Sequence, residues 1–289
     1  MQQNQQPKKQ GLYDPNFEHD ACGIGFIASL KGKANRLILE QGIEMLCRLE
    51  HRGAQAGDSS TGDGAGIMTT IPHLFFKKVC SSMQIKTPGS YGVGMIFLPP
   101  NQDVREQCEK FVQQMIEEEG QDFLGWRTVT IDDSSIGKKA KASQPWIRQI
   151  FIGRARNMTS NEFERKLFVI RKRIEKKLSH INGFYVASLS SRTIVYKGML
   201  TPTQLEQFYL DLQDEDFKSS FILVHSRYST NTFPSWERAH PNRLLAHNGE
   251  INTLKGNINW MNAREKVMRS SFFGGKIDEL VPIIKFQKG

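Results

Sequence analysis

The folded part of this chain starts on a cysteine. Residues 1–21 are polar, rich in Gln and Lys, and carry no apolar run that can join a core. Directly after them, Cys22–Leu30 alternates small and apolar residues in the pattern of a strand. A reactive residue type at the head of the first strand predicts that residues 1–21 are a propeptide, with 22–289 forming one domain. Cleavage before Cys22 frees an α-amino group beside the thiol, where it can act as that thiol's base. Two blander readings compete. A free cysteine is most often a small buried hydrophobe. A lipidated cysteine behind a signal peptide fails, because residues 1–21 lack an apolar h-region.

Of the 289 residues, 38% are hydrophobic, enough for a sizeable core. No run reaches the ~18–20 apolar residues of a membrane span, so no membrane is expected. The four cysteines (Cys22, Cys47, Cys80, Cys108) show neither C-x-x-C nor metal-ligand spacing, which argues against a zinc site or a disulfide framework. The expected compartment is reducing and cytoplasmic. A net charge of +9 raises nucleic-acid binding, but the basic residues are scattered. The densest run, Arg165 to Lys177, also places Leu167, Ile170, Ile174 and Leu178 three or four apart. It reads as an amphipathic helix with its basic face in water, so no nucleic-acid partner is expected.

Along the chain, helices are predicted over 35–51, 72–83, 102–120, 161–180, 202–212 and 257–268. Strands are predicted over 67–71, 91–98, 124–131, 147–152, 221–226 and 244–247. A hairpin is predicted from 184–189 and 193–197 around Ser190-Ser191, and Cys47 falls on an apolar helix face. Residues 52–66, rich in Gly, Ser, Thr and Asp, and 132–145 read as loops. Hairpins without strict βαβ alternation point to an α+β layered fold with antiparallel sheets.

The second half carries the chemistry. Arg227 follows a buried strand, where a guanidinium fork can grip a carboxylate in two places, and Thr230 can add a hydroxyl. Asn248 and Gly249 end another strand; an Asn amide and a Gly backbone N–H can face a developing oxyanion. Singly these are weak, since Asn-Gly is first a turn dipeptide and a strand-end Arg is usually salt-bridged or solvated. Tyr228, Trp236 and Trp260 read as packing residues. Jointly with Cys22, the set fits attack on an amide whose substrate bears a free carboxylate.

Cys22-Gly23-Ile24-Gly25-Phe26 behind a short leader resembles the class II glutamine amidotransferases. So do Leu49-Glu50-His51-Arg52-Gly53-Ala54, His225-Ser226-Arg227-Tyr228-Ser229-Thr230 and His247-Asn248-Gly249-Glu250-Ile251. Longer strings are similar to the glutamate synthase branch of that family, among them Thr61-Gly62-Asp63-Gly64-Ala65-Gly66 and Trp236-Glu237-Arg238-Ala239-His240-Pro241. The resemblance implies the N-terminal-nucleophile fold, a four-layer αββα sandwich of two antiparallel sheets, here incomplete at the C-terminus. It implies Cys22 as nucleophile, Arg52 as a residue orienting the site, Arg227 with Thr230 on the α-carboxylate of L-glutamine, and Asn248 and Gly249 as oxyanion hole.

For a complete enzyme the resemblance also implies FMN and an iron–sulfur cluster in further synthase domains. A small NAD(P)H-oxidising subunit and reductive amination of 2-oxoglutarate belong to the same picture. No cofactor is expected within residues 1–289. The chain stops at Gly289, before the acidic motif that in the family holds the substrate amino group, so exposed sheet edges and weak or absent glutaminase activity of the isolated chain are expected. The alternatives are another N-terminal-nucleophile amide hydrolase and a non-catalytic interaction module.

Overall fold

A computed structural model describes residues 9, 11, 14, 22–55, 58, 60–229, 232–243, 254–273 and 276–284. Eight strands are formed by these residues: β1 (Gly23–Ala28), β2 (Ala65–Thr70), β3 (Tyr91–Leu98), β4 (Asp122–Thr128), β5 (Trp146–Gly153), β6 (Tyr185–Ser190), β7 (Thr193–Gly198) and β8 (Phe221–Ser226). They make two four-stranded sheets, ordered β1-β8-β2-β7 and β4-β5-β3-β6. Every pairing is antiparallel, so the expected α+β sandwich of antiparallel sheets is what forms.

The helices are α1 (Arg36–Arg48), α2 (His73–Val79), α3 (Gln102–Glu118), α4 (Lys138–Ala142), α5 (Ser160–Lys177), α6 (Gln204–Phe208), α7 (Leu254–Glu265) and α8 (Ile277–Leu280). The Asn35 side chain caps α1 by accepting from the Ile38 amide, and Thr159 and Glu162 form a capping box on α5. Helix α1 seats on the first sheet through glycines: a Cβ on Gly42 would collide with Ile222, and one on Gly25 with Met45.

Two cores result. One joins Leu39, Ile43 and Leu46 of α1 and Phe75 and Phe76 of α2 to the first sheet and to one face of the second. The other packs Val112, Ile116, Leu167 and Ile170 of α3 and α5 on the second sheet's opposite face. Strand β3 feeds both, with Val93, Met95 and Phe97 in one and Ile96 and Leu98 in the other. That double burial is why it reads as an unbroken apolar run.

The structure corrects five expectations. Strands β6 and β7 do not pair as a hairpin but lie in different sheets. The Ser188 hydroxyl takes the Val195 amide at 3.1 Å, and the Glu164 carboxylate captures the Ser190 and Ser191 hydroxyls, so side chains take over bonding from the turn. The polar segment 132–145 contains α4 and buries Ile136 and Ala140. The basic side of α5 is not wholly in water: Arg171, Lys172 and Glu175 are buried. The segment around α8 reaches over that side, with Pro282 O accepting from Lys172 Nζ at 3.3 Å. Trp260 is exposed, whereas Trp236 packs in the core as predicted and donates Nε1–H to Ala140 O. The predicted 202–212 helix is shorter, α6 being followed by a 3-10 turn at Leu210–Gln213. The predicted strand 244–247 lies outside the described residues.

Candidate functional site

Three strands of the first sheet end together. The β1–β8 ladder closes at Gly23↔Ser226, and the β2–β8 ladder at Ala65↔Ser226. One residue beyond those ends stand Cys22, Arg227 and Gly64. The pattern continues there, since Arg227 N donates to Gly64 O at 2.8 Å. Residues far apart in sequence thus meet at one sheet end because register puts them there.

Cys22 is half-buried, and its Sγ lies 3.4 Å from both the N and the O of Tyr228. Burial pushes Cys80 up to about 11 and also raises Cys108 and Cys47, the last with help from Glu50, Glu206 and Glu44. Those three stay protonated and unreactive at neutral pH. As expected, Cys47 packs against the core.

Arg227 is buried at the end of β8. Its Nη1 donates to Asp63 O at 3.2 Å and its Nη2 to Thr232 Oγ1 at 2.7 Å. Burial pulls its guanidinium below the ordinary arginine value, while Asp63 and the Cys22 sulfur act to hold it up. It remains a cation, since guanidinium starts so far above neutral pH.

Arg52 ends the 3-10 turn Glu50–Arg52. A Cβ on Gly23 would stand 3.0 Å from the Cβ atoms of Arg52 and Leu49, so this turn passes against the start of β1. Ala54 N donates to Arg227 O at 3.4 Å. The fold therefore gathers Cys22, Arg52 and Arg227 from three segments. Thr230, Asn248 and Gly249 lie outside the described residues.

Two residues that residue-by-residue reading missed belong to this cluster. Asp63 accepts the Ser229 amide on Oδ2 at 2.9 Å, and Thr232 accepts from Arg227 Nη2 at 2.7 Å. Gly64 is the enabling residue, with φ +144°; a Cβ there would lie 2.9 Å from Ala239 Cβ. The only sequence signal for Asp63 is its place in Thr61-Gly62-Asp63-Gly64.

No described helix is long and apolar enough to cross a membrane. The described residues contain no group of three or more His, Cys, Asp or Glu side chains able to hold a metal ion.

Residues 22–289 match the family model described as Glutamine amidotransferases class-II. The chain is 56% identical over 286 residues to the glutamate synthase (NADPH) large chain of Bacillus subtilis, covering 98% of this chain and 19% of that protein. It is 48% identical over 276 residues to the corresponding Azospirillum brasilense chain, covering 94% and 18%. Against the glutamate synthase (NADH) of Schizosaccharomyces pombe it is 44% identical over 288 residues, covering 96% and 14%. It thus spans about a fifth or less of the length of these relatives. By sequence match, sheet architecture and the meeting of Cys22 with Arg227, the chain belongs to the class II glutamine amidotransferases.

Proposed function

We propose that this chain is the glutamine-hydrolysing, ammonia-supplying part of a glutamate synthase. The observation that carries the reading is the Cys22 thiol seated on the Tyr228 backbone one residue from the buried Arg227 cation. A nucleophile beside a carboxylate grip is what attack on the side-chain amide of a free amino acid requires.

In this reading residues 1–21 are a propeptide removed before Cys22. The freed α-amine, with a reference pKa of roughly 7.7–8.0 against roughly 8.5 for a thiol, takes the thiol proton at little cost near neutral pH. Arg227 holds the α-carboxylate of L-glutamine, with Thr230 nearby, and Arg52 orients the site. The thiolate adds to the side-chain carboxamide carbon. Asn248 and the Gly249 amide receive the oxyanion, a donor worth about 3 kcal/mol in such sites. The ammonium form of the α-amine protonates the departing nitrogen as the C–N bond breaks. Water then cleaves the γ-glutamyl thioester, giving glutamate and returning the thiol.

In a complete enzyme the ammonia would pass to synthase domains, where flavin and iron–sulfur groups, when bound, would supply the reducing chemistry that joins it to 2-oxoglutarate. A small NAD(P)H-oxidising subunit supplies the electrons, and the compartment is cytoplasmic. An iron–sulfur cluster needs a set of cysteine thiolates. Cys80 and Cys108 sit in separate cores, so the chain described here does not fit that group. Intact mass and labelling test the reading. A diazoketone analogue of glutamine is expected to add to a chain that begins at Cys22, and the Cys22→Ala variant should take up none. A reactive chain that retains residues 1–21, or equal labelling of Cys22→Ala, overturns it.

A further inference from the structure

Asp63 is 8% exposed, and its carboxylate spends Oδ2 on a backbone amide. Its three polar groups reach three parts of the site. The amide donates to Ala54 O at 2.9 Å, two residues beyond Arg52. The carbonyl accepts Arg227 Nη1 at 3.2 Å. The carboxylate accepts Ser229 N at 2.9 Å. Between Arg227 and Ser229 stands Tyr228, whose backbone N and O both touch Cys22 Sγ. One residue therefore braces the segment that carries the cationic grip and also forms the seat of the thiol.

We propose that Asp63 is a positioning residue for glutamine hydrolysis: it fixes Arg227–Ser229 so that the guanidinium and the Cys22 thiol face one substrate at a set separation. The role rests on the amidotransferase reading above. The chemistry favours a carboxylate here. An N–H···O bond to an ionised acceptor is roughly twice as strong as one to a neutral acceptor. The Ser229 amide, three positions past the ladder end at Ser226, lies beyond the strand pairing and takes its acceptor from Asp63. Asp63 also places a negative charge near Arg227 without occupying the two nitrogens already held by Asp63 O and Thr232 Oγ1. The cation is thereby favoured in a buried setting.

The test uses two labels on the whole chain. The diazoketone analogue of glutamine needs both the grip and the thiol, whereas iodoacetamide needs the thiol alone. For Asp63→Ala, labelling of Cys22 by the analogue should slow about ten- to a hundredfold, the worth of a hydrogen bond to a charged acceptor. Labelling by iodoacetamide should stay within about threefold, the spread of context effects below half a decade. Asp63→Asn keeps an oxygen acceptor for Ser229 but loses the charge, and should recover only part of the analogue rate. Asp63→Ser, too short to reach that amide, should behave as alanine does and keeps the test readable if the alanine variant does not fold. Equal analogue rates in Asp63→Ala or Asp63→Ser and the unsubstituted chain would overturn the role. So would a parallel fall with both reagents, which marks general loosening. Failure of the analogue on the unsubstituted chain, with iodoacetamide still reacting, overturns the amidotransferase reading first and the positioning role with it.

Discussion

Arg227 and Thr232 are joined by a 2.7 Å hydrogen bond from Nη2 to Oγ1. Thr232 in turn engages Ser229, whose hydroxyl donates to Thr232 O at 2.9 Å and whose Oγ accepts the Thr232 amide at 3.3 Å. The guanidinium is thus held in one orientation before any ligand arrives. Such pre-organisation lowers the ordering cost of binding.

Arg227→Lys is expected to raise the KM for glutamine about ten- to a hundredfold with a smaller change in kcat. A point-charge ammonium cannot hold Asp63 O, Thr232 Oγ1 and a carboxylate in one planar fork. Steady-state kinetics against glutamine concentration check this, and a loss confined to kcat would contradict it.

Gly64→Ala should destabilise the protein by about 1–3 kcal/mol, because φ +144° is strained for any residue with a Cβ. The added methyl would also press on Ala239 and lie 3.6 Å from Arg227 Cβ. Denaturant unfolding reads the stability, and analogue labelling of Cys22 should slow alongside it.

Glu119 gives an acid-sensitive lock. Its side chain is fully buried among Lys166, Arg173 and Lys276, at 2.8, 2.6 and 2.9 Å. Burial alone would raise its carboxyl, but bonds from Lys166, Lys276 and Arg173 outweigh that and hold it at about 2. The folded value lies below the unfolded one near 4.5, so the stabilisation is present above that pH and is lost as pH falls toward 2. Glu119→Gln should cost on the order of 2 kcal/mol at pH 7 and flatten the fall in stability over that acid range. Urea midpoints measured across the interval decide it.

Lys197 has the opposite linkage. Fully buried on β7, it donates to Glu237 O at 2.9 Å and Tyr185 Oη at 3.2 Å. Burial, with Arg243 nearby, lowers it to about 7, against which Glu237 works. The unfolded chain binds more protons here between pH 7 and 10.5. This residue therefore makes folding more favourable as pH rises through that window and is a burden below it. Lys197→Met should remove that rise and leave stability at pH 7 equal or higher, as thermal unfolding in paired buffers would show.

Elements with strong internal pattern were legible from sequence. The apolar run of β3 and the periodicity of α3 and α5 each announced their structure. So did the segments bearing Cys22, Arg52 and Arg227. Two illegible features depend on one side chain replacing a backbone partner at a distance. Nothing in the local pattern tells that Ser188 will take the Val195 amide and part β6 from β7. Nothing in a Gly-Asp-Gly turn tells that Asp63 will reach an amide 166 residues away. The buried Arg171 and Lys172 misled for a related reason: periodicity gives a helix's polar side but not what later folds over it.

The common end of β1, β8 and β2 has a further consequence. Side chains alternate faces along a strand, so sliding β1 by a single position against β8 would turn the sulfur to the other side of the sheet from its partner arginine. A misregistered molecule would keep most of its apolar burial and yet be chemically mute. Reactivity of that sulfur toward a glutamine-shaped electrophile therefore reports correct strand alignment, a property that bulk measures of secondary structure do not resolve.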